Sequence, residues 1–171
     1  MIALNNQMFE MYYFLKENCP GFEKSQLLYS AGSIGARESR MIDGEYLLTE
    51  EDLRDCVKFD DAIAAGNYDI DIHNPEGSGT SHYYFPAGAW YTIPYRSLQP
   101  KNADNLLVAG RCISSTHEAQ ASYRIMPIVA TLGQAAGTAA ALAVKAGVGV
   151  KEIDVKALQD ILTENGAFIG K

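Results

Sequence analysis

Two neighbouring stretches have the composition for chemistry at the end of a helix. NLLVAGRCISS (105–115) reads as a buried strand running into a glycine turn, and MPIVATLGQAAGTAAALA (126–143) as a long helix of small residues. Pro127 suits a first helical turn, where its missing N–H would have had no partner in any case. The remaining first-turn N–H groups point forward together with the positive end of the helix dipole. That arrangement favours a phosphate or a developing anion. Gly133 and Gly137, four residues apart, stack on one face with Ala130, Ala140 and Ala141 nearby, so another backbone can approach closely. The same pattern also describes a well-packed core helix that binds nothing.

Other chemistries find less support. The sequence contains no GxGxxG loop; Gly77-Ser-Gly79 and Gly147-Val-Gly149 do not complete the spacing. His73, His82, His117 and Cys112 lack the spacing of zinc ligands, and no GxSxG marks a hydrolase serine. A formal net charge of −7, with 14 Lys plus Arg and no basic run, argues against a nucleic-acid partner. Cys19, Cys56 and Cys112 are odd in number and widely spaced, as expected of reduced thiols rather than a disulfide framework.

The elements that must position this region follow from periodicity and punctuation. Met8, Met11, Tyr12 and Leu15 have helical spacing over 6–17, closed by Pro20-Gly21. QLLYSAGSIGARESRMI (26–42) carries β-formers and glycine breaks and predicts strand. Thr49 and Asp52 have capping-box spacing, and the helix that follows is expected to carry Leu53, Val57 and Ile63 and to stop near Gly66. Residues 67–104 are rich in Tyr, Pro, Gly and Asn; Asn74-Pro75 and Gly77-Ser78-Gly79 are turn chemistry, and YYF and WYTI look like strand pieces. Tyr68, Tyr83, Tyr84, Tyr91 and Tyr95 are expected to include wall residues of a packed surface. Leu106–Val108 predicts a strand covered on both faces. A last helix runs from Asp154 as N-cap to Gly166 as stop. No secretory leader is visible at the start. The Ala- and Gly-rich run 126–144, with Gln134 at its centre, reads as a helix packed inside a soluble, cytoplasmic protein rather than a membrane span.

GARESRMIDGEYLLTEEDL (35–53), IDIHNPEGSG (70–79), YTIPYRSL (91–98), NLLVAGRCISSTHEAQASYRIMPIVATLGQAAGTAAALAV (105–144) and the closing VKALQDILTENGA (155–167) occur in this order. Together they resemble the C-terminal half of a bacterial FAD-dependent oxidoreductase family, some of whose members carry xanthan-lyase-like labels. The resemblance implies a mixed α/β (α+β) chain: the C-terminal part of a two-domain FAD/NAD(P)-binding flavoprotein fold, without the N-terminal GxGxxG Rossmann unit. Truncation of a longer product or gene is the simplest explanation of that absence. The expected divisions are a substrate-side portion (1–103), the returning strand and helix of the FAD-binding domain (104–148), and a helical tail (149–171).

The resemblance also nominates residues. Gly110 and Arg111 are placed beside the ribityl–pyrophosphate part of FAD, with Arg111 standing where many flavoproteins have an acidic residue. Met126 and Pro127 are placed where a helix start meets the pyrimidine edge of the flavin ring. Gln134, two turns on, is either a cofactor contact or a core amide, and Ser114, Ser115 and Thr116 are expected to cap local turns. For catalysis the nominees are His73 and Tyr91, to move the proton that accompanies hydride transfer, and Arg37 and Arg96, to orient substrate; each could equally make a structural hydrogen bond. Arg37 and Arg40 sit in strand-like sequence that would turn them to opposite faces. The expected function is hydride transfer between a small molecule, carbohydrate-like as one candidate, and FAD. This chain alone is expected to bind FAD weakly or not at all without the FAD-binding half. The alternative is a non-catalytic module that binds carbohydrate or protein through the aromatic segment 68–98. An unpaired Leu106–Val108 edge further predicts homodimerisation or self-association.

Overall fold

The computed structural model describes residues 2–73 and 79–171. The chain divides into two units, 1–37 and 38–171. In the first, α1 (Ile2–Asn18) extends past both ends of the predicted helix and buries none of its residues. The Tyr12 hydroxyl donates to the Ser25 carbonyl at 3.0 Å, and the Glu23 carboxylate accepts from the Gly21 N–H, which stands at φ +95°. The strand predicted over 26–42 does not form. Extended backbone becomes strand where a neighbour completes the ladder, and here no neighbouring strand does so.

The second unit is built around one hydrophobic core, with Tyr91, Tyr95, Tyr123, Leu48, Ile63, Leu132 and Leu158 among its largest buried side chains. The capping box forms as expected: Thr49 Oγ1 accepts from the Asp52 N–H at 3.3 Å, and the Asp52 carboxylate accepts from the Thr49 N–H at 2.9 Å. The helix it starts, α2 (Glu50–Arg54), has five residues and does not run to Gly66. Cys56 turns the chain with φ +51°, and the Val57 carbonyl then accepts from Thr92 N–H and Oγ1. Ile63 lies instead in β1 (Ala62–Gly66), which pairs antiparallel with β4 (Tyr91–Pro94), Ala64 opposite Ile93 and Gly66 opposite Tyr91. β2 (Ile70–His73) pairs antiparallel with β3 (Thr80–Tyr83), placing Asp71 opposite His82. The turn residues Asn74-Pro75 and Gly77-Ser78 lie outside the described residues.

A 3₁₀ turn (Tyr95–Leu98) follows β4, and the Tyr95 hydroxyl donates to the Val150 carbonyl at 2.8 Å. Residues 106–108 form no strand: the Val108 N–H donates to the Leu98 carbonyl at 2.9 Å, but among the described residues no strand lies alongside, and Leu106 is half exposed. Leu106 and Leu107, together with Ala136, Ala140 and Val144, line a groove of about 420 Å³.

The last two helices fall where the sequence places them, preceded by a short helix that the sequence did not announce. α3 (His117–Tyr123) is capped by Thr116. α4 (Met126–Ala146) has Pro127 in its first turn and ends at Gly147, left-handed at φ +69°. α5 (Val155–Glu164) starts at Asp154, whose carboxylate accepts from the Lys156 and Ala157 N–H groups. Gly166, at φ +81°, closes it.

The expectation that the 126–144 helix is packed inside holds for one face only. Ile128, Leu132, Ala135, Ala139 and Ala143 are buried, and α4 packs on β1 and α5. Ala130, Gly133, Gln134, Gly137 and Ala140 are exposed, with nothing within 4 Å of where a Cβ would stand at either glycine. Among the described residues, α4 is also the one helix long and apolar enough to cross a membrane. Beyond α5 the chain returns to the core: Ile169 is buried, and a Cβ at Gly170 would stand 2.5 Å from Thr92 Cγ2.

Candidate functional site

The start of α4 is fixed by contacts that leave its first turn open. Gly66 ends β1 without a side chain because Ile128 occupies the space; an added Cβ would stand 2.4 Å from Ile128 Cδ1 and 2.9 Å from the Tyr91 hydroxyl oxygen. Ser122 Oγ donates to the Tyr68 carbonyl and lies 2.7 Å from the Tyr91 hydroxyl. Arg124, between α3 and α4, donates from Nη2 to the Asp71 carbonyl at 2.9 Å, tying the β2–β3 hairpin to the junction. Yet the N-cap of α4 is Ile125, which has no side-chain acceptor, whereas α2, α3 and α5 are capped by Thr49, Thr116 and Asp154. Met126 is 85% exposed, and no N-cap side chain satisfies the first-turn amides at the positive helix end.

The turn at Gly110 and Arg111 is strapped to α3. Gly110 has φ +115°, a conformation that favours glycine. The Tyr123 hydroxyl donates to the Arg111 carbonyl at 3.3 Å and lies 2.9 Å from Ser115 Oγ. Burial pushes the Tyr123 phenol pKa up, so that oxygen stays protonated and neutral. Thr116 caps α3, a helix rather than the local turn expected of it, while Ser114 and Ser115 are buried.

The nominated residues fall in different places. His73 ends β2, exposed, with Nε2 3.4 Å from Asp71 Oδ2. Tyr91 is fully buried, and burial raises its phenol pKa. Both therefore sit on elements joined to the α3–α4 junction, His73 through its hairpin and Tyr91 through Ser122. Arg96 does not: it is bound to Asp61 (Nε to Oδ2, 2.9 Å), its pKa raised by that bond, and lies over the Tyr46 ring. It lines a cleft of about 560 Å³ with Glu45, Asp60, Asp61, Tyr95 and Lys151, and no residue of the α4 first turn lines that cleft. Arg37 is exposed at the last position of the first unit, outside any strand. Gln134 is exposed on the outer face of α4, not a core amide.

Sequence reasoning missed the charged hairpin and one ion pair. His82 Nδ1 lies 2.9 Å from Asp69 Oδ2 and its Nε2 3.6 Å from Asp71 Oδ1, with the Tyr84 ring stacked on the imidazole at 5.6 Å. His117 Nδ1 is bonded to Glu38 Oε2. The alternation in DIDIH was the available signal for the hairpin; the His117–Glu38 pair, 79 residues apart, left none.

The model of the FAD-dependent oxidoreductase family matches residues 2–162, and the chain belongs to that family. No match was found among curated proteins or among solved structures. The residues present fit one end of the family's cofactor: an open helix start suits the ring edge that gains negative charge, and the Gly110 turn leaves room for a close approach, a Cβ there meeting Cys112 Sγ only at 4.0 Å. The cofactor's pyrophosphate has no such glycine cradle among the described residues: Gly147 is the left-handed stop of α4, and the Gly149 N–H donates to Glu152 Oε2.

Proposed function

We propose that this chain is the substrate-side portion and the returning helix (104–148) of a flavoprotein that transfers hydride between a small, carbohydrate-like molecule and FAD. When bound, FAD supplies the two-electron acceptor. The α4 start at Met126 and Pro127 would hold the pyrimidine edge, its free amides stabilising the charge left by hydride transfer. Gly110 and Arg111 would hold the ribityl–pyrophosphate chain, with the guanidinium available to pair with phosphate. His73 is the nominated residue best placed to meet substrate, being exposed on a hairpin tied to the junction.

The observation that carries the reading is the helix of 21 residues that starts uncapped and leaves its glycine face bare. A separate GxGxxG-bearing half is the partner that would cover this face and hold the ADP moiety. Visible absorbance tests it. The chain alone should stay nearly colourless with added FAD, and co-expression with the sequence encoded upstream should yield a yellow protein. A colourless co-expressed product rejects the reading.

One observation favours a second reading, a carbohydrate-binding module. Tyr84 is 71% exposed and stacked on His82 beside two carboxylates, the kind of aromatic and acidic surface on which a sugar ring can rest. Calorimetry with an oligosaccharide panel decides it: heat of binding that Tyr84→Ala abolishes supports this reading, and no heat from any sugar removes it.

A further inference from the structure

We infer that His117, oriented by Glu38, is the group that exchanges the substrate proton. The inference rests on the flavoenzyme reading above and adds a catalytic residue to it.

Three imidazoles were available. His82 has a carboxylate beside each ring nitrogen, Asp69 at Nδ1 and Asp71 at Nε2, and His73 Nε2 faces Asp71. His117 differs: Nδ1 is bonded to Glu38 Oε2, while Nε2 has no hydrogen-bond partner among the described residues. The His117 side chain is 49% exposed, so Nε2 can be reached from solvent, and Glu38 behind it is more buried, at 26%. A carboxylate on Nδ1–H fixes the tautomer that leaves the Nε2 lone pair outward, the arrangement of a general base.

The surroundings hold the pair in place. The Ile42 N–H donates to the Cys112 carbonyl at 3.0 Å, and Ser115 Oγ donates to Met41 Sδ at 3.2 Å, so the segment that carries Glu38 lies against the one that leads into His117. His117 is the first residue of α3, and Arg124 caps its other end. Seven residues at helical rise set them about 10 Å apart along the axis. The imidazole thus belongs to the same short helix that delivers the chain to the open start of α4.

Dehydrogenation of a C–OH group removes a hydride from carbon and a proton from oxygen. A bound flavin would supply the hydride acceptor; the O–H electron pair would become the new C=O π bond, and the proton would go to the Nε2 lone pair. The resulting imidazolium is paired with Glu38. In the reverse direction Nε2–H returns the proton to the carbonyl oxygen.

The test has two arms. Long-range ¹H–¹⁵N NMR of histidine-labelled chain, with the three rings assigned by H73Q, H82Q and H117Q, reads the tautomer without any flavin. The neutral His117 ring should be Nδ1-protonated in the native protein, remain so in Glu38→Gln, and revert to the Nε2–H form of free histidine in Glu38→Leu. An Nε2–H ring in the native protein, or no change in Glu38→Leu, overturns the inference. In the second arm, flavin-loaded protein is bleached anaerobically by whichever member of a sugar and 2-hydroxy-acid panel acts fastest. His117→Ala should slow bleaching about 10²- to 10⁴-fold, with partial rescue by added imidazole; bleaching at the native rate overturns the inference. If the co-expressed protein loads no flavin, the flavoenzyme reading has failed, and the tautomer still decides whether the pair exists.

Discussion

The Tyr91 hydroxyl donates to Ser122 Oγ across 2.7 Å, because the serine's own proton is given to the Tyr68 carbonyl. A phenol nominated for proton transfer is thereby a strut between β4 and α3. Removing the two ends of this chain should have unequal effects. Tyr91→Phe deletes one buried bond and leaves Ser122 paired, at a cost of about 1 kcal/mol. Ser122→Ala strands both the phenol and the carbonyl, at up to about 3 kcal/mol. Urea unfolding midpoints should order the variants native, then Tyr91→Phe, then Ser122→Ala.

Glycine substitutions should split by location. Gly66→Ala forces Ile128 and Tyr91 aside and should destabilise by about 1–3 kcal/mol. Gly133→Ala meets open space inside a helix and should stabilise the isolated chain by about 0.5–1 kcal/mol. Thermal melts of both variants check the opposite signs.

The glycine face also separates stability from cofactor retention. Gly137→Leu should leave the isolated chain folded, since Gly137 is exposed and nothing lies within 4 Å of where its Cβ would stand. In the co-expressed flavoprotein the same side chain would prevent close packing of the covering half. The measurement is flavin absorbance per mole of protein, expected to fall at least severalfold while circular dichroism of the isolated chain is unchanged.

Burial, the largest cause in each case, pushes the phenols of Tyr46 and Tyr95 up to about 12; Asp52 adds to the effect at Tyr46. Folding thus favours the neutral form, whereas unfolded tyrosine ionises near 10. The stabilisation is complete below about pH 10 and is lost as pH rises towards 12. Urea midpoints should be flat to pH 9 in this respect and fall above 10, and Tyr95→Phe should flatten part of that fall.

Leu106 is half exposed in a segment that forms no strand. Self-association through this segment should be weakened by Leu106→Lys, since a charge on an open edge opposes pairing with another chain. Light scattering against concentration measures it; an unchanged apparent mass would place any association elsewhere.

What the sequence disclosed divides along a physical line. The Thr49–Asp52 box, Pro127, Asp154 and Gly166 are local devices, each acting on backbone groups within a few residues, and each is found where its pattern put it. The strands expected over 26–42 and 106–108, and the helix carried through Ile63, needed knowledge of partners: backbone at 106–108 has no strand beside it, and Val57 is recruited by Thr92, 35 residues away. The candidate site follows the same rule. The open α4 start was legible from Pro127 and the small residues after it, whereas the pairing of His117 with Glu38 exists only once the chain has folded.

Ile169 and Gly170 bear on how the protein is made. Because Ile169 and Gly170 pack against the sheet edge at Thr92 and Ala65, the interior of 38–171 cannot close before that segment has been synthesised. Closure of this unit therefore couples its latest-made residues to its earliest strand.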